Sequence, residues 1–483
     1  MSLPVISVEQ MREWEKATWA TGQTEEEVIA RVGKIVAERS LQLTTAGDRI
    51  LILAGKGHNG DDARAALPHL REREVVLTSA FDPQAALKSF SSAGEAQRPK
   101  LILDGLFGTG LSRPLNADWQ KLIETVNESK IPILAIDVPS GIDAATGEIR
   151  GAAIRALVTL TLGAPKRGLF SPNAIPCVGR LEVAPEIGLT PCPFSSDLNW
   201  TGAEDFLNFP PQREISSHKG TYGHVVMVAG SLGYHGAAVL ATRAALRAQP
   251  GLATLFTPEN VYGPIASQLQ AAMVHPWKSA NEFPESATVI LFGPGLAARD
   301  LPDNLKKELI EVWQKSSLPV VADASALDWL PARENFPKTL RVITPHPGEA
   351  ARLLSSSTQD IQADRVSALR KLSARYGNCF VVLKGHQTLI GRSEGEIFIN
   401  SSGNPFLAQG GSGDVLSGYI SGLLAQPVLQ KNPFKTIRFA VWQHGAAADR
   451  LSIEKTNWSV DDLLQVLGQE RCNRVSTLPP NAT

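Results

Sequence analysis

Short, near-continuous apolar runs recur along this chain, and most end in glycine-rich or acidic turns. Arg49-Ile50-Leu51-Ile52-Leu53-Ala54 leads into Gly55-Lys56-Gly57, and Lys100 to Leu103, Ile131 to Asp137 and Leu157 to Leu162 follow. Runs without polar alternation are the pattern of parallel strands covered on both faces. Met11 to Arg39 reads as one or two helices, and a helix is expected from about Asp61, shortened or kinked by Pro68. Strands alternating with helices predict an open α/β sheet. The character shifts after Leu189, where Pro191, Pro193, Pro210 and Pro211 bracket a linker with a short helix at Thr201 to Leu207. A second α/β pattern then starts afresh. Its expected strands are Val225 to Ala229, Ala253 to Phe256, Thr288 to Phe292, Val320 to Asp323, Val342 to Thr344 and Phe380 to Leu383. Its expected helices are Ala237 to Arg247, Asn304 to Lys315, Gly348 to Leu354, Asp364 to Tyr376, Asp414 to Leu424 and Pro433 to Leu451. The chain is therefore read as two α/β domains, 1–205 and 206–483, with a loose polar tail after Asn473.

The chemistry concentrates just after strands, where open α/β sheets bind ligands. The loop Asn404 to Asp414 crowds Gly410, Gly411 and Gly413 ahead of an amphipathic helix. Such a loop aims backbone N–H groups, and the positive end of the helix, at one anion. A carboxylate beside a phosphate is repelled by it, so Asp414 needs a reason to be there. Taking the proton from a hydroxyl that attacks the phosphate supplies one. Lys384 can reach a phosphate as a point charge, and Thr388 with nearby backbone can hydrogen-bond it. His346 can hydrogen-bond a substrate or brace its own loop. Asp323 can help place Mg²⁺ or cap the next helix, while Asp328 and Trp329 read as structural. In the first half, Gly55 to Asp62, Asp104 to Pro114 and Asp137 to Asp143 open at one end of one sheet. Their glycines and Arg113 suit phosphates, and their Asn, Asp and Ser oxygens suit a hard cation.

Composition removes other classes. The net charge of −1 gives no electrostatic footprint for nucleic acid or an acidic membrane, and no stretch approaches a membrane span. Cys177, Cys192, Cys379 and Cys472 lack metal spacing and read as reduced thiols, and a cytoplasmic location is expected.

In the second half, His218-Lys219-Gly220 with Gly223-His224, the Gly230 loop, Gly293-Pro294-Gly295-Leu296, Asp323-Ala324, Thr344-Pro345-His346-Pro347-Gly348-Glu349, Lys384-Gly385 and the loop ending in Asp414 occur in order. This set resembles the ADP-dependent NAD(P)H-hydrate dehydratase domain of the ribokinase-like superfamily. The resemblance implies a ribokinase-like α/β sandwich that removes water from the (6S)-hydrate of NADH or NADPH. The hydroxyl is phosphorylated by ADP, phosphate then leaves, and AMP and the repaired dinucleotide remain. It implies Ala237, Gly295, His346 and Asp414 at the hydrate, Asp414 as the catalytic base, and Lys384, Gly385, His386, Gln387, Thr388 and Gly413 at the adenine nucleotide, with Mg²⁺.

Residues 5 to 190 resemble the NAD(P)H-hydrate epimerase domain, which interconverts the (6R)- and (6S)-hydrates on a Rossmann-like open sheet. That resemblance implies K⁺ held by Asn59, Asp104 and Ser140. It places the substrate at His58, Asn59, Gly60, Asp61, Asp62, Gly108, Thr109, Gly110, Leu111, Ser112, Arg113, Pro114 and Asp137, with Asp137 as acid/base. The first loop departs from the family's GNNGGDG: His58 replaces the first Asn, Asp61 a Gly and Ala63 the last Gly. Asp61 puts negative charge where a pyrophosphate should approach, so a weakened epimerase, or a structural relic, is expected. The expected partners are the small-molecule hydrates and further copies of the chain. The alternatives are a ribokinase-like alcohol kinase with a non-catalytic first domain and a non-catalytic dinucleotide-binding protein.

Overall fold

The structure is a computed structural model that describes residues 2–91, 98–332 and 339–470. The tail and Cys472 lie outside the described residues. The chain forms two compact units, dividing between Ser196 and Asp197 rather than at 205/206. The reason is local. Leu198–Thr201, expected as linker leading into a helix at Thr201, is a strand that pairs in parallel with Ile397–Asn400 of the second unit. Only a short 3₁₀ turn, Ala203–Phe206, follows it.

The first unit is built on a parallel sheet of β1 (Arg49–Ala54), β2 (Glu74–Ser79), β3 (Leu101–Gly105), β4 (Ile133–Ile136), β5 (Val158–Leu162) and β6 (Arg180–Ala184). The order is β2-β1-β3-β4-β5-β6, a Rossmann-like open sheet. The chain leaves β1 for one side and returns to β3 on the other, so the switch point opens between those two strands. The apolar strands are covered on both faces. Val32, Val36, Ile50, Ile52 and Leu103 form one buried cluster, and Leu53, Ile102, Leu122 and Ile123 form another. The sequence reading missed β2 and β6. β2 is an edge strand that leaves Val76 and Leu77 exposed, so it lacks the continuous burial signal. β6 is tied to the helix Glu25–Gln42 by a buried two-point ion pair of Arg39 with Glu182, at 2.8 and 2.9 Å.

In the second unit the strands are β7 (Leu198–Thr201), β8 (His224–Val228), β9 (Leu252–Thr257), β10 (Met273–Pro276), β11 (Val289–Phe292), β12 (Val320–Ala322), β13 (Arg341–Ile343), β14 (Phe380–Leu383), β15 (Leu389–Gly391) and β16 (Ile397–Asn400). They lie in the order β7-β16-β15-β14-β13-β12-β11-β8-β9-β10, with only the β14-β15 and β15-β16 pairs antiparallel. The fold is the ribokinase-like α/β sandwich. Its switch point lies between β8 and β11. The helix Ser412–Leu424 is seated by small residues: a Cβ on Gly418 would lie 2.1 Å from the Ala241 carbonyl oxygen, on the helix His235–Arg247. Only glycine lets these two backbones approach so closely, and that approach fixes where the first turn carrying Asp414 stands.

Candidate active sites

In the second unit, loops after successive strands meet at the switch point. The Gly230 backbone N–H donates to the Pro294 carbonyl at 2.8 Å, which joins the loop after β8 to the loop after β11. Gly295 has a φ of +67°, and a Cβ there would lie 2.9 Å from the Cβ of Ala237, so these two hydrate-site candidates pack side by side. Gly293 abuts the Asp323 backbone in the same way.

Asp323 does not cap the turn that follows it, which corrects one of the two roles expected for it. It is buried, and its carboxylate pairs with the Lys384 ammonium at 3.0 Å. Glu349 stands 3.8 Å from the same ammonium. Burial works against the charge of Lys384, but Asp323 and Glu349 outweigh it and raise its pKa. Asp414 lies in the first turn of its helix, beside Gly413, where an added Cβ would come within 3.2 Å of Lys384 Nζ. Desolvation, reinforced by the charges of Asp323 and Glu349, outweighs Lys384 and pushes the Asp414 carboxyl up to about 7. A carboxyl poised there is matched to proton transfer at neutral pH.

His346 braces its own loop. Its Nδ1 accepts the backbone N–H groups of Gly348 at 3.0 Å and Glu349 at 3.3 Å, and Glu349 returns the bond to the His346 N–H at 2.8 Å. This capping box fixes the tautomer in which Nε2 carries the proton. His346 therefore offers a donor, 3.5 Å from Glu349 Oε1 and half exposed. Glu349 links this donor to Lys384, a role the sequence reading overlooked. The visible signal was a glutamate three residues after the histidine, at the third position of the helix.

The stretch Lys384 to Thr388 is shaped from below by Arg365. Its guanidinium donates to the carbonyls of Leu383 at 3.1 Å and Gln387 at 3.4 Å, and to that of His386. The Thr388 hydroxyl donates to the Gly385 carbonyl at 3.1 Å. Asp328, read as structural, pairs with Arg352 at 3.2 Å.

The site in the first unit has a different character. Asn59 stands on the helix His58–Ala65, which begins three residues before its expected start because Gly60 lets it pack on the β1 turn. A Cβ on Gly60 would lie 2.1 Å from the Gly55 carbonyl oxygen. Asn59 donates to the Phe107 carbonyl at 3.0 Å, and the Phe107 N–H donates to the Ser140 hydroxyl at 2.9 Å. Ser140 Oγ donates to Asp104 at 2.6 Å, and its backbone N–H does so at 2.8 Å. Asn59, Asp104 and Ser140 thus converge. Asp104 is fully buried, and desolvation pushes it up to about 6 against hydrogen bonds from the neutral donors of Ser140 and Leu106.

Asp137 sits just past β4 with a φ of +63°, an uncommon conformation for a non-glycine residue. One carboxylate oxygen accepts from Leu162 N at 3.0 Å, from Thr161 Oγ1 at 3.1 Å and from Lys166 Nζ. Lys166 is completely buried. The sequence reading missed this residue, although Gly163-Ala164-Pro165-Lys166 follows directly on β5. Burial and the charge of Asp137 push the Asp62 carboxyl well up, and the same causes raise Glu15, a second omission.

The departures in the first loop come with partners. Asp61 pairs with Arg64 at 2.8 Å, and that guanidinium also donates to the Gly55 carbonyl at 2.6 Å. His58 stands 3.0 Å from Glu25 at the surface. The charge expected to repel a pyrophosphate is therefore countered within its own helix. Gly108 packs against Asn59, while Gly110, Ser112, Arg113 and Pro114 line an exposed loop beyond it.

Comparison with known proteins places this geometry. Residues 225–468 match the family described as NAD(P)H-hydrate dehydratase, and residues 78–168 match the family described as YjeF-related protein N-terminus. A bifunctional NAD(P)H-hydrate repair enzyme of Coxiella burnetii is 34% identical over 474 residues, covering 92% of this chain and 94% of that protein. The enzyme of the same name from Escherichia coli is 33% identical, covering 89% and 86%. The crystal structure of an ADP/ATP-dependent NAD(P)H-hydrate dehydratase from Bacillus subtilis, co-crystallized with ATP/Mg²⁺, is 33% identical with a TM-score of 0.48. It covers 54% of this chain and 92% of that one. No helix among the described residues is long and apolar enough to cross a membrane.

Proposed function

Because the chain belongs to the bifunctional NAD(P)H-hydrate repair enzymes, we propose that each unit works at the site just described: the second dehydrates the (6S)-hydrate with ADP, and the first supplies that epimer from the (6R)-hydrate. The observation that carries this reading is Asp414, a carboxyl pushed up to about 7 at a glycine-rich helix start beside Lys384. Asp414 takes the proton from the hydrate hydroxyl as that oxygen attacks the terminal phosphorus of ADP. Lys384, held charged by Asp323 and Glu349, meets the phosphate oxygens, and the N–H groups at the helix start face the same anion. Hydroxide is a poor leaving group, and its phosphate ester is a good one. Phosphate leaves C6, a proton leaves the adjacent carbon, and the ring double bond returns. His346 Nε2–H, Gly295 and Ala237 orient the hydrated ring.

Asp323, Glu349 and Asp414 around one ammonium leave an excess of negative charge, which fits a divalent cation carried in on the nucleotide. Mg²⁺ would offset phosphate charge there. In the first unit, a fully buried Asp104 held by neutral donors, beside Asn59 and Ser140, fits K⁺. K⁺ would fix the Phe107 and Ser140 loops. Asp137, oriented by Lys166, is the proton carrier for the epimerisation.

Pure (6S)-NADH hydrate incubated with enzyme, Mg²⁺ and ADP should give NADH, AMP and phosphate in equal amounts by phosphorus NMR. A stable phosphorylated product without NADH would contradict the assignment and favour an alcohol kinase. Replacing K⁺ by tetramethylammonium should slow epimerisation at least tenfold and leave dehydration of the (6S)-epimer unchanged. Equal epimerisation rates in both salts would remove the K⁺ site.

A further inference from the structure

The loop that carries Gly295 does not end at the hydrate site. It runs on through Leu296 and Arg299 along one wall of a cavity of about 420 Å³. That volume lies in the range of small-molecule sites. The rest of the lining comes from Trp329, which closes the 3₁₀ turn beginning directly after Asp323, and from the start of the helix Asp303–Lys315. The loop carrying Gly295 and the turn after Asp323, whose backbone abuts Gly293, therefore both continue into this cavity. The first is held rigidly: the buried Ser231 hydroxyl donates to the Gly295 carbonyl at 2.6 Å and accepts the N–H groups of Ala297 at 3.3 Å and Ala298 at 3.1 Å.

The lining carries the chemistry of a nucleoside phosphate site. Trp329 offers an indole face, with the Lys306 ammonium 5.9 Å from its ring. Arg299 is exposed on the rim and makes no salt bridge among the described residues. Of the carboxylates in the lining, Asp328 is offset by Arg352 at 3.2 Å, and Asp303 stands at the positive end of its own helix. The bound hydrate is only one end of a dinucleotide, and its base, second ribose and phosphates must lie somewhere beyond Gly295. We propose that this cavity takes the distal half of the dinucleotide hydrate, with the base against Trp329 and phosphate oxygens against Arg299 and Lys306. This inference rests on the reading of Gly295 and His346 as the hydrate site.

The test is steady-state dehydration of (6S)-NADH hydrate and (6S)-NADPH hydrate at saturating ADP by Trp329→Leu, Arg299→Ala and Lys306→Ala. The KM for the hydrate is expected to rise about tenfold in Trp329→Leu for both substrates, with kcat held within about twofold. In the cation variants, a KM rise confined to NADPH hydrate places the ribose phosphate at the cations. A rise for both hydrates places the pyrophosphate there. The KM for ADP stays unchanged in each case, which a general structural disturbance would not produce. Unchanged hydrate KM in all these variants, with a working wild type, overturns this inference alone. A wild type that consumes neither hydrate overturns the functional reading as well.

Discussion

Replacing Asp414 with asparagine is expected to lower the dehydration rate by roughly a thousandfold, the range seen when a general base is removed. Asparagine keeps the shape and cannot take the proton. Binding of the nucleotide should persist, because Lys384, the loop to Thr388 and the helix start are untouched. The wild-type pH profile carries the same information. The working form of Asp414 is the carboxylate, and its pKa is raised to about 7, chiefly by desolvation. The rate should therefore level off above pH 7 and fall about tenfold per unit below it. A carboxylate at its ordinary position would keep the rate flat down to about pH 5. The asparagine variant should lose this limb. Stopped-flow recovery of the reduced-nicotinamide absorbance between pH 5.5 and 8.5 measures both effects. A flat wild-type profile, or an asparagine variant within tenfold of wild type, would remove Asp414 from the mechanism.

The second large effect is expected at Lys166. Its ammonium is fully buried against Asp137. Removing one partner of a buried ion pair leaves the other charge uncompensated and costs about 3–5 kcal/mol. Lys166→Met should therefore abolish epimerisation and lower the unfolding midpoint of the first unit by roughly 10 °C. Dehydration of the (6S)-epimer, carried by the other unit, should continue. Adding Asp137→Asn removes both charges, so stability should recover in large part while epimerisation stays absent. If the double variant is no more stable than Lys166→Met, the charge account of this pair is wrong. If the double variant epimerises normally, Asp137 is not the proton carrier, and if Lys166→Met does so, Asp137 does not need Lys166 to orient it.

The open sheets were legible because parallel strands buried on both faces read as unbroken apolar runs. Arg49–Ala54 and Phe380–Leu383 have the expected bounds. The missed strands are those whose burial is partial or whose length is slight: Glu74–Ser79, Arg180–Ala184 and Met273–Pro276 at sheet edges, the four-residue Leu198–Thr201, and the short antiparallel pair Leu389–Gly391 and Ile397–Asn400. The loops bearing the sites were legible for a related reason. Glycine and carboxylate after an apolar run are expensive unless the backbone turns sharply there or binds something.

What the sequence hid was partnership. Lys166, Glu349 and Arg365 act by meeting groups far along the chain, and no spacing rule connects Lys166 to Asp137 or Glu349 to Lys384. The same blindness made Asp61 look like a defect. Arg64, three residues on and therefore on the same helix face, supplies the compensating charge. That pairing favours a working first site over a structural relic.

The most direct test of the account is recovery of reduced-nicotinamide absorbance from NADH hydrate supplied as mixed epimers with Mg²⁺, K⁺ and ADP. Full recovery at a rate well above spontaneous interconversion is the predicted result, since both sites would be working in one chain. Recovery that stops when the (6S)-epimer is consumed would contradict the assignment of the first unit, and no recovery with either ADP or ATP would contradict the account as a whole.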